Sequence, residues 1–260
     1  MKHSLRAMYL FSCFALFLAS FAVAHAQTLG INYYTISASD PDANNLSSGT
    51  FTNEVQNSLG ADGLPVLNTT AYGCTSGCIS SSLSLPTNLL SDGEITYWDP
   101  SADPYSTLTE TSTITLPIDI PDDFFPPNGT GTCDGGAPGC DGYQAVELFG
   151  TLVVPTEESV SFTIASDDMA FAYVGGTIVC DDGGIHGITP VTCSTEVLAP
   201  GDYSINLFFT DMNTVQSGLE FGIDTTDVTT IAPAPEPSSL VLMGTGVLAF
   251  AGMVRRRLFA

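Results

Sequence analysis

Between Leu29 and Ile223 the chain keeps returning to short runs in which apolar positions alternate with small or polar ones, at intervals of about ten residues. These runs predict strands at 29–38 (LGINYYTISA), 94–98, 112–116, 143–154 (YQAVELFGTLVV), 160–165, 170–174, 177–180, 202–210 (DYSINLFFT) and 218–223 (GLEFGI). In the 162–187 stretch, Phe162 and Ile164, then Phe171 and Tyr173, alternate in the manner of half-buried strands. Gly175-Gly176 occupies the place of a tight hairpin turn between the last two runs. The stretch from Ser48 to Leu59 predicts a short helix instead. Thr50 is placed to cap it, Phe51, Val55 and Leu59 recur every fourth residue, and Gly60 stops it. Residues 63–67 resume extended chain. Trp98, beside a strand, predicts a core anchor, with stacking on a sugar ring the rarer use of a lone tryptophan.

The breaks between the runs carry as much information. Residues 68–93, rich in Ser, Thr, Gly and Asn, predict an insertion over the surface, and residues 128–141 have similar composition. Asp167-Asp168 and Asp181-Asp182-Gly183-Gly184 are acidic breaks at strand ends, where loops can present oxygen ligands. No internal repeat and no second core pattern are visible. The fold class expected is all-β, a single antiparallel sandwich or barrel domain over residues 27–228.

Both ends stand apart from that domain. Residues 1–26 carry Lys2 and Arg6, an apolar run from Met8 to Ala22, and Ala24-His25-Ala26. That is the layout of a secretory signal cleaved after Ala26, with an uncleaved anchor as the alternative. Residues 229–260 hold a linker, then Pro235-Glu236-Pro237, an apolar run from Leu240 to Val254, and Arg255-Arg256-Arg257. The apolar run is short for a transmembrane helix, and the arginines would stay on the cytoplasmic side.

Charge narrows the function classes. All five basic residues, Lys2, Arg6 and Arg255 to Arg257, lie in the two end segments. Residues 27–234 contain no Lys or Arg and 27 of the 28 acidic residues. Each carboxylate there must be solvated, hydrogen-bonded or neutralised by a cation from outside. Binding to a nucleic-acid backbone is excluded, because no basic side chain is present to release counterions. Acidic lipid surfaces are equally poor partners.

Six cysteines remain once Cys13 leaves with the signal. They fall in close pairs: Cys74 and Cys78, Cys133 and Cys140, Cys180 and Cys193. In an oxidising compartment the default is local disulfides between neighbours, although other pairings are open. Zinc is the rival, and the spacings and the lack of a second histidine in the exported part speak against it.

Two resemblances follow from the residues quoted. The segment PEP, apolar run and arginine cluster closely resembles the PEP-CTERM sorting signal of exopolysaccharide-producing Gram-negative bacteria. That resemblance implies processing by an exosortase, transient anchoring by the C-terminal segment, and delivery to the outer surface or extracellular matrix. SFTIASDDMAFAYVGGTIVCDDGGIHG and LAPGDYSINLFFTDMNTVQSGLEFGI, with NSLGADGLPVLN from Asn57 and DDFFPPN from Asp122, resemble the fibro-slime domain. That domain is similar in turn to the protective-antigen-type sugar-binding fold of flocculin adhesins. Met169, Asp211-Met212 and the Cys180/Cys193 pair depart from the usual pattern. The resemblance implies that Asp167, Asp168 and Asn213 bind Ca²⁺, and that extracellular glycan completes the shell.

Elementary geometry sets a condition on that site. Neighbouring side chains on a strand point to opposite faces, so Asp167 and Asp168 can share an ion only if the chain turns or their peptide is cis. The alternative is an Asx-type turn with both groups solvated. His186 is expected to hydrogen-bond locally, to Asp182 or Asp181, rather than act as a ligand or base. Nothing in the chain singles out a nucleophile with a base, or a catalytic carboxylate pair, so the expected class is a non-catalytic binding module. A matrix protein without a specific ligand is the alternative.

Overall fold

The computed structural model describes residues 27–69, 74–76, 84–120, 142–213, 216–226 and 228–231. The signal, the Pro-Glu-Pro segment with its apolar run and arginines, and Cys78, Cys133 and Cys140 lie outside the described residues, so the first two cysteine pairings do too. None of the described residues forms a helix long and apolar enough to cross a membrane.

Thirteen strands are described: β1 (Thr28–Ile36), β2 (Thr50–Phe51), β3 (Cys74–Ser76), β4 (Ser106–Thr115), β5 (Ile118–Ile120), β6 (Tyr143–Val154), β7 (Ser161–Asp167), β8 (Met169–Val174), β9 (Thr177–Asp182), β10 (Val191–Ser194), β11 (Gly201–Thr210), β12 (Gly218–Ile223) and β13 (Thr229–Ile231). They make an all-β antiparallel sandwich. The large sheet has the order β4-β1-β6-β11-β8-β9, with β13 also on β6; the small sheet has the order β10-β7-β12-β5. Neither sheet closes on itself, which decides for a sandwich over a barrel. β2 and β3 form a separate pair.

The central strands of the large sheet, β1, β6, β11 and β8, are covered on both faces, while the edge strand β4 is mostly exposed. Between the sheets lie Leu29, Ile31, Leu148, Phe162, Ile164, Leu207, Phe209 and Phe221. Phe162 and Phe221 stack there at 6.1 Å with planes 9° apart. On the opposite face Phe171, Tyr173, Phe208, Tyr97 and Trp98 form a second core. Each such side chain contributes about 1.5–3 kcal/mol on full burial. The strand expected to be half-buried, β8, is therefore buried at every position. Its period of two is one of size: Ala170 and Ala172 face the small sheet, while Met169, Phe171 and Tyr173 face the second core.

The cover for that second face is the excursion 37–105. Ile36 pairs with Ser106, so the chain leaves β1 and returns beside it. The excursion is fastened by hydrogen bonds as well as by apolar contact. The Asp42 carboxylate accepts from the Thr87 amide at 2.8 Å and from the Tyr97 hydroxyl at 2.8 Å. Asn88 donates to Asp40 at 2.7 Å. Trp98 is a core anchor, 3 % exposed, and its Nε1 donates to the Phe209 carbonyl at 3.0 Å.

Two local expectations are corrected. Residues 48–59 are not a helix. They run beside β9, with bridges Phe51↔Gly183 and Ser58↔Thr177, and the Ile178 amide donates to the Asn57 carbonyl at 2.9 Å. β9 is the edge of the large sheet, so its outward backbone groups need partners. A stretch rich in Ser, Thr and Asn gives up little by supplying them. Residues 94–98 are not a continuous strand; only Glu94 and Ile95 make isolated bridges, to Val66 and Leu89.

The hairpin expected at Gly175-Gly176 is present, with φ of 59° and 76° at the two glycines. Only glycine adopts two successive positive φ values without a steric penalty. Cys180 and Cys193 form the expected disulfide. It joins β9, the edge of the large sheet, to β10, the edge of the small one.

Candidate functional site

Two of the crossings between the sheets lie side by side at one end of the sandwich, and the candidate site is built from them. β7 ends at Asp167 in the small sheet and β8 begins at Met169 in the large one, leaving Asp168 alone between them. Asp211 to Ser217 make the reverse crossing, from β11 to β12. Register sets the crossings side by side, since Gly218 faces Asp167 and Thr210 faces Met169.

The peptide between Asp167 and Asp168 is cis, one of the two arrangements that let neighbouring acids face one point. Both side chains are buried. The Met212 amide donates to Asp168 Oδ2 at 2.8 Å, and the Asn213 amide donates to Asp211 Oδ1 at 3.0 Å. Asp168 also meets the carboxyls of Asp167 and Asp211. The aspartate pair and the loop carrying Asn213 are thus in contact through the residue before Asn213. Burial pushes the Asp168 carboxyl up to about 7; the charge of Asp167 adds to this, while the Met212 amide and Asp211 oppose it.

Asp211, wholly buried, is a member that sequence reasoning left out. The available signal was its place two residues before Asn213 in the same turn. Thr214 and Val215, next along that turn, lie outside the described residues.

The second acidic break adjoins the first. Ser166 donates to Asp182 at 2.8 Å. His186 Nε2 is 3.4 Å from Asp182 Oδ1, long for a hydrogen bond, and its Nδ1 is 3.2 Å from the Gly187 carbonyl. His186 thus braces its own loop through the Gly187 carbonyl, and the expected hydrogen bond to Asp182 or Asp181 is not made, since Nε2 has no hydrogen-bond partner. Burial raises the Asp182 pKa, and His186 and Ser166 oppose the rise.

Beside this loop is a cavity of about 450 Å³, lined in part by Thr50, Asp182, His186, Gly187 and Gln216. Its size falls within the ~300–1,000 Å³ of small-molecule sites. Gly187 links the cavity to the aspartate pair, since a side chain built there would come 3.9 Å from Asp167 Oδ2.

All the donors at the crossings are oxygens, which suits a hard cation such as Ca²⁺. Among the described residues, no group of three or more His, Cys, Asp or Glu side chains is arranged to hold a metal by itself. Two carboxylates would therefore need amide, carbonyl and ligand hydroxyl oxygens to reach a shell of about six to eight.

Among solved structures, the chain is similar to a PA14 sugar-binding domain from an RTX adhesin. The identity is 15 %, covering 79 % of this chain and 95 % of that one, with a TM-score of 0.35. It is also similar to the epithelial adhesin 9 A domain from Candida glabrata in complex with Galβ1-4GlcNAc, at 12 % identity over 81 % and 88 %, TM-score 0.36. An anti-sigma factor domain-containing protein shows 14 % identity and a TM-score of 0.37, and the chain spans 44 % of its length. The chain spans 14 % of a β-glucosidase from Kluyveromyces marxianus. No curated protein matches by sequence. Residues 233–257 match the model of the PEP-CTERM protein-sorting motif. The C-terminal segment that holds Pro235-Glu236-Pro237 and the three arginines is therefore a PEP-CTERM sorting motif, and it marks the chain as an exported protein.

Proposed function

We propose that the exported domain is a non-catalytic adhesion module that binds carbohydrate through Ca²⁺ held by Asp167, Asp168 and the loop carrying Asn213. The observation that carries this reading is the contact of two adjacent, buried carboxylates with each other and with Asp211, in a domain without Lys or Arg. Like charges brought together away from water need a proton or a counter-charge, and with no Lys or Arg in the domain that counter-charge has to be a cation from solution. A bound Ca²⁺ would supply that charge and leave open positions for vicinal sugar hydroxyls, with the neighbouring cavity admitting the ring. Exosortase is the processing partner, and exopolysaccharide at a Gram-negative surface is the ligand class in reach of a chain delivered this way.

Calorimetry on the calcium-stripped protein tests the first half. Ca²⁺ should bind, and Asp167→Ala with Asp168→Ala should abolish the binding at the crossings. A wild-type protein silent at millimolar calcium ends the proposal. A glycan array probed with and without calcium tests the second half. The uniformly acidic composition favours one other reading, a matrix protein that holds water without a specific ligand. A blank array in the presence of calcium selects that reading.

A further inference from the structure

A second carboxyl pair lies apart from the crossings. Glu54 belongs to the segment beside β9 and is 3 % exposed. Asp181 belongs to β9 itself. Both carboxyls are anchored by backbone: Asp181 Oδ2 accepts from the Val55 amide at 3.0 Å and the Asp181 carboxyl also meets the Glu54 amide, while Glu54 accepts from the Gly184 amide. The other oxygens, Glu54 Oε2 and Asp181 Oδ1, are buried and have no hydrogen-bond partner. Both face the space over Gly183. A β-carbon placed there would lie 2.2 Å from Glu54 Oε2 and 3.1 Å from Asp181 Oδ1. Gly183 does not have a positive φ; its missing side chain makes room for Glu54, whose own Cβ would lie 2.7 Å from that β-carbon.

Four kinds of relief exist for two such acids. A basic side chain is ruled out by the composition of residues 27–234. A shared proton needs the two oxygens at about 2.5–2.7 Å, and no hydrogen bond joins them. A separate proton on each removes the charge but leaves both free oxygens buried without a hydrogen-bond partner. A divalent cation satisfies charge and oxygens together. Oxygen-to-metal distances of about 2.3–2.6 Å let one ion bridge two oxygens that do not touch each other. We propose that Glu54 and Asp181 form a second site for a hard divalent cation such as Ca²⁺, seated over Gly183. The ion ties the segment 48–59 to the edge of the large sheet. It thereby fixes Thr50, a wall of the cavity described above. The inference does not rest on the reading of Asp167 and Asp168.

The test uses the full-length chain in detergent, stripped with chelator and titrated with calcium chloride in a calorimeter. Wild type is expected to bind one more equivalent than Glu54→Gln with Asp181→Asn, and Asp167→Ala with Asp168→Ala is expected to keep that equivalent. Gly183→Ala, which retains both acids but fills the space, should lose it as well. Hydrogen exchange supplies a readout on the wild-type chain alone, in case a variant fails to fold. Calcium should slow exchange of the amides in 50–59, and should do so in Asp167→Ala with Asp168→Ala too. An unchanged stoichiometry in Glu54→Gln with Asp181→Asn, or calcium-independent exchange across 50–59 in wild type, overturns the proposal.

Discussion

Asp211 touches the candidate metal site although the sequence marked it only as a departure from a family pattern. Its Oδ1 accepts from the Asn213 amide at 3.0 Å, and its carboxyl meets that of Asp168. In this position it orients both members of the site. Groups that orient metal ligands commonly cost about 10–100-fold in affinity when removed. Asp211→Asn is therefore expected to weaken calcium binding by at least about tenfold, read as the dissociation constant from a calorimetric titration. An unchanged constant would remove Asp211 from the site. Asp167 and Asp168 drew attention as an acidic doublet at a strand end, and Asn213 entered through the resemblance; the structure sets the residue before Asn213 against Asp168. Glu54 was not legible. Its partner lies on a strand far along the chain, and in the helix expected for its stretch it would have had no reason to meet Asp181.

At the scale of elements, the sandwich is held along one side by a covalent bond as well as by packing. The Cys180–Cys193 disulfide ties the edge strands β9 and β10 of the two sheets across a sequence separation of 13. A loop of that order contributes about 3 kcal/mol by limiting the unfolded chain. Replacing both cysteines by alanine is expected to lower the unfolding free energy by about that amount, measured by urea titration. A loss below about 1 kcal/mol would place the stability in the packing of Phe162 and Phe221 instead. The strands themselves were readable from alternation, and β6, β8, β9, β11 and β12 lie where the pattern put them. The 48–59 segment was misread because a four-residue apolar spacing also suits an extended chain that dips into a core at intervals. Phe51 and Val55 are each 3 % exposed in that arrangement.

For the whole molecule, the absence of basic residues reaches into the titration behaviour. Among the described residues, every carboxyl with a clearly displaced pKa is displaced upward, with burial as the largest cause. Asp40 is raised to about 6 and Glu54 to about 8. A carboxyl raised on folding stabilises the fold while protonated. That contribution is complete below the unfolded value near 4 and is lost as pH rises through the folded value. In chelator at constant salt, the protein is therefore expected to melt at a lower temperature at pH 8 than at pH 5. This is the reverse of a domain whose carboxylates are paired with Lys or Arg. A melting temperature that is flat or rising over this interval would show that the buried acids are neutralised by something other than protons. Added calcium should recover part of the loss at pH 8, where the acids are ionised and able to bind it.

Composition and local pattern by themselves determined the C-terminal sorting motif, the all-β class, the strand-rich second half and the lack of any Lys or Arg partner for the buried acids. These properties depend on counts and on neighbours along the chain. Tertiary structure alone decided which acids face one another, that the central strands of the large sheet are covered on both faces, and that the stretch 48–59 serves as a strand-edge partner. Those outcomes depend on which distant residues a sheet brings into register, and a period of two looks the same whether the far side of the strand meets water or a second core.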